Sequence, residues 1–360
     1  MDFAITDDQQ SLQTLARDIL TAEVTHERLK ALEAASFAVF DRDLWRRLAE
    51  AGLTGIGVPE AQGGAGLGFL DIALVLDEVG RTVAPVPAVA TLVTAFVLGK
   101  HGAATDLLAG VATGETVLTT AHGDLADVTL AKESSGWRLR GERSFVPYGA
   151  EADVVVVPAA LDGGQAVVLL PRGADGVTVT ELQTTNREPQ AALEFADVAV
   201  DGAAVITDAA DLVADLARYQ TAALSMVAAG VCQAALQMTA AYTSTREQFG
   251  KPIASFQAVG QRAADAYVDA EMVRLTALQA VWRLDAGWPA DEEIAVAKFW
   301  AGDGGMRVLH ACQHLHGGLG VDLDYPLHRY FVWGKQLEHE LGTPTVQLLN
   351  LGAQLAAVPA

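Results

Sequence analysis

The hydrophobic period changes twice along this chain, and that double change limits the folds open to it. From Phe3 to about Gly114 apolar residues recur at three- and four-residue spacing, as in Asp7 to Ala22, Asp41 to Ala51 and Asp71 to Val79, which predicts helices. From Val117 to about Val205 short runs rich in Val, Leu and Thr alternate with Gly, Pro and Asp. Trp137 to Leu139, Val154 to Val157, Ala166 to Leu170 and Val177 to Thr180 read as strands. From Asp208 onward long Ala/Leu/Gln-rich segments return, broken at Gly287-Trp288-Pro289 and at Gly317-Gly318-Leu319-Gly320. The pattern predicts an α+β chain, mainly α. Its expected domains are a helical one over 1–115, a small β domain over 116–206 and a helical one over 207–360.

At 360 residues the chain is long enough for more than one core. Its apolar stretches are interrupted before the roughly 20 residues needed to cross a bilayer, so no membrane span is expected. The acidic start, Met1-Asp2-Phe3-Ala4-Ile5-Thr6-Asp7-Asp8, does not read as a signal peptide. Two cysteines, Cys232 and Cys312, make no disulfide framework, and a cytoplasmic location is expected. A net charge of −21 repels a phosphate backbone, and no basic stripe with aromatics overrides it, which argues against nucleic-acid binding. Any anionic ligand must be met by a few local cations or backbone amides.

Four segments, in order, carry a resemblance. Gly52-Leu53-Thr54-Gly55-Ile56-Gly57-Val58-Pro59-Glu60, with Gly63-Gly64-Ala65-Gly66, is followed by Asp77-Glu78-Val79-Gly80. Then comes Tyr242-Thr243-Ser244-Thr245-Arg246-Glu247-Gln248-Phe249-Gly250-Lys251-Pro252-Ile253 with Phe256-Gln257. Last are His314-Leu315-His316-Gly317-Gly318-Leu319-Gly320, Tyr325-Pro326-Leu327-His328-Arg329-Tyr330 and Leu341-Gly342-Thr343. Together they resemble the acyl-CoA dehydrogenase family over nearly the whole chain, most specifically at its "RxQFGxPI…FQ" motif. The resemblance implies a helical N-terminal domain, a central β-barrel-like domain and a C-terminal four-helix bundle, assembled as a tetramer with FAD. It implies an acyl-CoA substrate oxidised to the 2,3-enoyl-CoA. Electron-transfer flavoprotein or another carrier is the implied acceptor.

The resemblance carries over residue by residue. Arg246 matches the arginine that holds the diphosphate of a neighbour's FAD, a task suited to a forked, permanent cation. Gln248, Phe249, Gln257, His314, Gly317, Gly318, Gly320 and Thr343 match further cofactor contacts, with His314 standing where the family usually has Gln. The run His310, Cys312, His314, His316 has no converging metal-ligand spacing, and no metal is expected.

The departures fall elsewhere. The family's flavin-contacting loop "TEPxxGSD" aligns with Thr120-Ala121-His122-Gly123-Asp124-Leu125-Ala126-Asp127, which lacks the Glu and the Ser. Its second loop, "KxWIT", aligns with Arg143-Ser144-Phe145-Val146-Pro147, where proline replaces the hydroxyl residue and removes a backbone donor. The catalytic Glu of "EGT" is Leu341 here. The family's alternative position carries Gln237 and Met238. Glu340 is the remaining candidate base, one residue away and so turned by about 100° if helical. The reading set beside it is a solvated charge next to Glu338 and His339. Residues that would serve a neighbour's FAD are kept, and those that act within a subunit are missing. That split resembles a heterotetrameric (α2β2) acyl-CoA dehydrogenase of the actinobacterial acyl-CoA or steroid β-oxidation type, in which this chain supports a homologous catalytic subunit. A self-sufficient homotetramer and a non-catalytic assembly subunit are the alternatives.

Overall fold

The computed structural model describes residues 4–134 and 136–357, so Phe3 lies outside the described residues. Six helices come first: α1 (Asp7–Glu23), α2 (His26–Ala35), α3 (Arg42–Glu50), α4 (Phe69–Thr82), α5 (Thr94–Lys100, entered through a π turn) and α6 (Thr105–Ala112). Thr6 starts α1 with a capping box, its hydroxyl accepting from the Gln9 amide while the Gln9 side chain accepts from the Thr6 amide. Such a reciprocal cap contributes about 1 kcal/mol.

The β region follows as β1 (Leu118–Thr120), β2 (Val128–Glu133), β3 (Gly136–Pro147), β4 (Val154–Leu161), β5 (Gly164–Pro171), β6 (Val177–Leu182), β7 (Gln190–Val200) and β8 (Val205–Ile206). They form one sheet in the order β6-β7-β3-β2-β4-β5-β8, with β1 parallel to β4. Alternate residues such as Leu139, Val157, Val168, Leu193 and Phe195 build its core. The β3–β7 ladder shifts register between Leu139 and Gly141 and again between Arg143 and Val146. At the second shift Phe145 takes a left-handed backbone (φ 55°) and faces solvent.

Helices resume as α7 (Ala210–Thr245), α8 (Gln257–Asp285), α9 (Asp291–His316), α10 (Leu327–His339) and α11 (Pro344–Ala357). Between α7 and α8 lies a two-stranded hairpin, β9 (Glu247–Gln248) and β10 (Lys251–Pro252). By length and composition α7 could cross a membrane, contrary to the expectation from its sequence. However, 72% of its most apolar window is buried within the protein, as in a core helix.

The chain divides into two compact units, residues 1–28, 73–84 and 221–360 in the first and 29–72 and 85–220 in the second. Within the first unit α4 and α7 approach at two glycines. A Cβ on Gly80 would lie 2.1 Å from the Val227 carbonyl oxygen, and one on Gly230 would lie 2.0 Å from that of Asp77. Only glycine lets two helix backbones come this close.

Candidate functional site

The segment after α7 builds the first part of the site. The Arg246 amide donates to Tyr242 O (2.8 Å), ending the helix, and Ile253 N donates back to Arg246 O (2.8 Å), folding β10 onto it. Between β9 and β10 the turn residues Phe249 and Gly250 both have positive φ, 55° and 76°. This is a type I′ hairpin geometry, which Gly accepts freely and Phe does not. Holding Phe there costs about 1 kcal/mol, and strain of this kind marks positions worth a functional reading. It leaves Phe249 93% exposed. Lys251 Nζ sits 4.4 Å over the Phe256 ring, and the Phe249 and Phe256 rings meet edge-on at 6.1 Å.

Arg246, Gln248, Phe249 and Gln257 are all exposed. The Arg246 guanidinium has no ion pair among the described residues. Together with Lys251 it gives the local cations that an anion needs on so acidic a chain.

The glycine turn reaches the same region through one side chain. His316 stacks on Tyr242, one helical turn before Arg246, with centroids 4.4 Å apart. Its Nδ1 bonds the Cys312 carbonyl (2.8 Å), which only accepts, so Nδ1 carries the proton and Nε2 accepts from Tyr325 Oη (3.1 Å). Gly317 (φ 60°) and Gly318 are exposed, with open space where a Cβ would stand. Gly320 is different: it is buried, and a Cβ would fall 2.7 Å from Gln313 O, so packing demands glycine there. His310 and His314 are exposed while Cys312 and His316 are buried. Among the described residues no three metal-ligating side chains come together.

The turn after α10 differs from the sequence expectation. Glu340 is the C-cap with extended ψ (134°), and Leu341 has φ 52°, so neither continues the helix and the helical offset does not apply. Nor is Glu340 a solvated charge. It is partly buried, and desolvation raises its pKa against the pull of Lys298 and a hydrogen bond from Gln336. Lys298, from the middle of α9, is wholly buried and its ammonium donates to Leu337 O (2.7 Å), Gly342 O (3.1 Å) and Glu338 O (3.4 Å). It thereby caps α10 and fixes the turn that leads through Thr343 into α11.

In the second unit the two loops matched to flavin contacts are closed on themselves. The Arg143 side chain is 2% exposed and donates to Ala121 O (3.1 Å), Pro158 O (3.0 Å) and Glu142 O (3.2 Å). Loop amides are engaged too: Ala121 N on Val156 O, Ala126 N on Asp124 Oδ1 and Asp127 N on Asp124 O. His122 Nε2 bonds Gln220 Oε1 (2.8 Å), Gln220 Nε2 donates to Thr94 Oγ1 (3.0 Å), and Thr94 meets Thr120 Oγ1 (2.8 Å). Sequence reasoning missed this network, whose members are 98 and 126 residues apart.

The residues of the first unit therefore fit the ADP half of FAD: a free guanidinium, exposed aromatic and amide side chains, and an open glycine turn. Those of the β loops do not fit the flavin ring. Pro147 offers no donor, and the amides of Ala121, Ala126 and Asp127 already have partners.

The acyl-CoA dehydrogenase N-terminal domain model matches residues 6–115 and the C-terminal domain model residues 213–356. Acyl-CoA dehydrogenase FadE27 of Mycobacterium tuberculosis is 41% identical, with 100% of both chains covered. A chain in the crystal structure of the ChsE4-ChsE5 complex from Mycobacterium tuberculosis superposes with TM-score 0.94 at 40% identity, covering 100% of each chain. A chain of the Tcur3481-Tcur3483 steroid ACAD gives TM-score 0.91 at 40% identity, covering 97% of this chain and 98% of that one.

Proposed function

Because this chain belongs to the acyl-CoA dehydrogenase family of FAD-dependent oxidoreductases acting on CH–CH bonds, we propose that it is the supporting subunit of a heteromeric, cytoplasmic acyl-CoA dehydrogenase. It lends contacts for the ADP half of FAD to a homologous catalytic partner. FAD, when bound, supplies the hydride acceptor for oxidation of an acyl-CoA thioester to the 2,3-enoyl-CoA.

The observation that carries this reading is the contrast between Arg246 and Leu341. Arg246 stands exposed and unpaired among the described residues, beside a strained hairpin that presents Phe249. Leu341 occupies the family's catalytic-glutamate position and has no proton-accepting group. A guanidinium presented outward can meet phosphate oxygens of another chain's dinucleotide in forked geometry. Gln257 opens α8 and can add an amide donor, the Gly317-Gly318 turn follows the last turn of α9, which carries His314, and Thr343 precedes α11. One relative of 40% identity comes from a structure described as a complex of two named chains, and another from a structure whose description pairs two names, which supports a partner subunit. The steroid description of one points to a steroid side-chain acyl-CoA as the substrate class.

The test is FAD content of the complex co-purified with its partner subunit. Arg246→Ala is expected to lower the FAD-to-protein ratio severalfold, and Arg246→Lys to restore part of it. An unchanged ratio in Arg246→Ala would overturn the reading.

One observation favours a second reading, a self-sufficient enzyme. Glu340 has the raised pKa wanted of a base that abstracts an α-proton. On that reading the chain purified alone is yellow and bleaches with an acyl-CoA; on the first it is colourless alone.

A further inference from the structure

Within the second unit, β6 pairs with β7 and with no other strand among the described residues, so one of its backbone edges is free. The register fixes which groups lie on that edge. Ala196 N donates to Gly176 O (2.9 Å), and these residues stand opposite one another when the β6–β7 register is continued by one position. In an antiparallel ladder such bonded pairs alternate with unbonded ones. Thr178, Thr180 and Leu182 therefore bond to β7, while Val177, Val179 and Glu181 turn their N–H and C=O groups away from it. Val177 N finds Ala174 O (3.2 Å). The backbone groups of Val179 and Glu181 have no partner among the described residues.

The side chains of the same three residues share one face of the strand, and that face lines a pocket of about 320 Å³. Leu193, opposite Val179 on β7, and Val155 and Leu170, on β4 and β5, form its apolar walls. Two charges stand among its lining residues. Arg172 is already engaged by the Ala152 carbonyl and the Asp153 carboxylate, both at 3.0 Å. The exposed Glu181 carboxylate has no ion pair among the described residues.

A free edge is a template for another strand, and natural sheets block it with proline, lysine or a bulge. β6 reads Val-Thr-Val-Thr-Glu-Leu and keeps an unshifted register with β7, so it has none of the three. We propose that β6 takes an extended peptide segment of a partner protein as an added strand. The segment's backbone pairs with Val179 and Glu181, its alternate apolar side chains enter the pocket, and a basic side chain meets Glu181. A second copy of β6 does not match this chemistry. Pairing two copies about Val179 drives each Glu181 carboxylate onto the apolar wall at Val177, and pairing them about Glu181 sets two carboxylates side by side. None of the residues involved belongs to the proposed FAD contacts, so the two readings stand or fall separately.

Fluorescence anisotropy of a dye-labelled heptapeptide, titrated with the full chain at low salt, tests this. The probe alternates threonine and valine after an N-terminal lysine, which faces Glu181 when the probe lies antiparallel to β6. Saturable binding is expected. The same probe N-methylated at its valines keeps every side chain but loses the donors that face β6, and should bind at least tenfold more weakly. Glu181→Lys, at an exposed position, should weaken the unmodified probe by about tenfold. No saturable binding, equal affinity for the methylated probe, or an affinity that Glu181→Lys leaves unchanged would each overturn the proposal. So would a dimer of the chain alone that Val179→Lys dissolves, which would assign the edge to a second copy.

Discussion

The imidazole of His316 lies face to face with the ring of Tyr242, planes 16° from parallel, and joins the end of α9 to the last turns of α7. That contact ties the helix leading into the Gly317-Gly318 turn to the helix that ends at Arg246, the two parts proposed to meet the ADP half. Burial lowers the His316 pKa, so the ring is neutral in the fold. His316→Leu keeps bulk but removes the bonds to Cys312 O and Tyr325. We expect a loss of about 1–2 kcal/mol in denaturant unfolding, and lower FAD retention in the complex with Arg246 intact. Unchanged retention would separate the stack from the site.

The crossing of α4 and α7 makes a sharper stability prediction. Gly230→Ala places a methyl carbon against Asp77 O, a rigid backbone atom, so the helices must part. Overpacking of this kind costs about 1–3 kcal/mol. A fall in thermal midpoint of several degrees is expected, larger than for Gly260→Ala, where a Cβ on α8 meets nothing within 4 Å. Equal midpoints for the two variants would show that the crossing adapts.

Much of this architecture is legible in the residues. The period change at Val117 marks where strands begin, and Thr6 with Gln9 announces α1. The RxQFG stretch locates the hairpin and its exposed face. What is not legible depends on residues distant in sequence. Glu340 looks like a surface charge beside Glu338 and His339, because nothing nearby shows that Lys298, on another helix, lies buried beneath that turn. Arg143 resembles a cofactor-loop cation, yet its guanidinium is held inward by three carbonyls, two of them from other segments of the β region. Gly320 reads as one more glycine of a phosphate turn, and only its approach to Gln313 reveals a packing role.

His122 should give the chain a pH-dependent stability. Gln220 Nε2 donates to Thr94, so Gln220 Oε1 faces His122 and Nε2 of the imidazole carries the proton. Burial, with a smaller contribution from Arg143, pushes the His122 pKa down to about 4 from 6.5, while Gln220 opposes the shift. A lowered imidazole pKa means that the unfolded chain takes up the proton first. The stabilisation is therefore complete above pH 6.5 and is lost as pH falls through about 4. The full effect is on the order of 3 kcal/mol. Urea unfolding of wild type and His122→Gln between these limits measures it. The variant should have the shallower slope, and identical slopes would refute the assignment.

Restoring the family's carboxylate should not by itself restore the enzyme. Leu341→Glu puts an acid at the position of the missing base, on a turn that Lys298 already holds through the carbonyls of Leu337 and Gly342. The flavin-contacting loops remain as they are. Pro147 still lacks a donor, Arg143 still bonds Ala121 O and Pro158 O, and Asp124 still occupies the amides of Ala126 and Asp127. A base could take the α-proton, but without a seated acceptor the β-hydride of the substrate would have nowhere to go. Leu341→Glu, purified alone and supplied with FAD, is therefore expected to show no acyl-CoA-dependent dye reduction, and the same variant with its partner subunit is expected to turn over at the wild-type rate. Turnover by the variant alone would mean that this chain can seat a complete flavin, and the proposed division between the two subunits would fail.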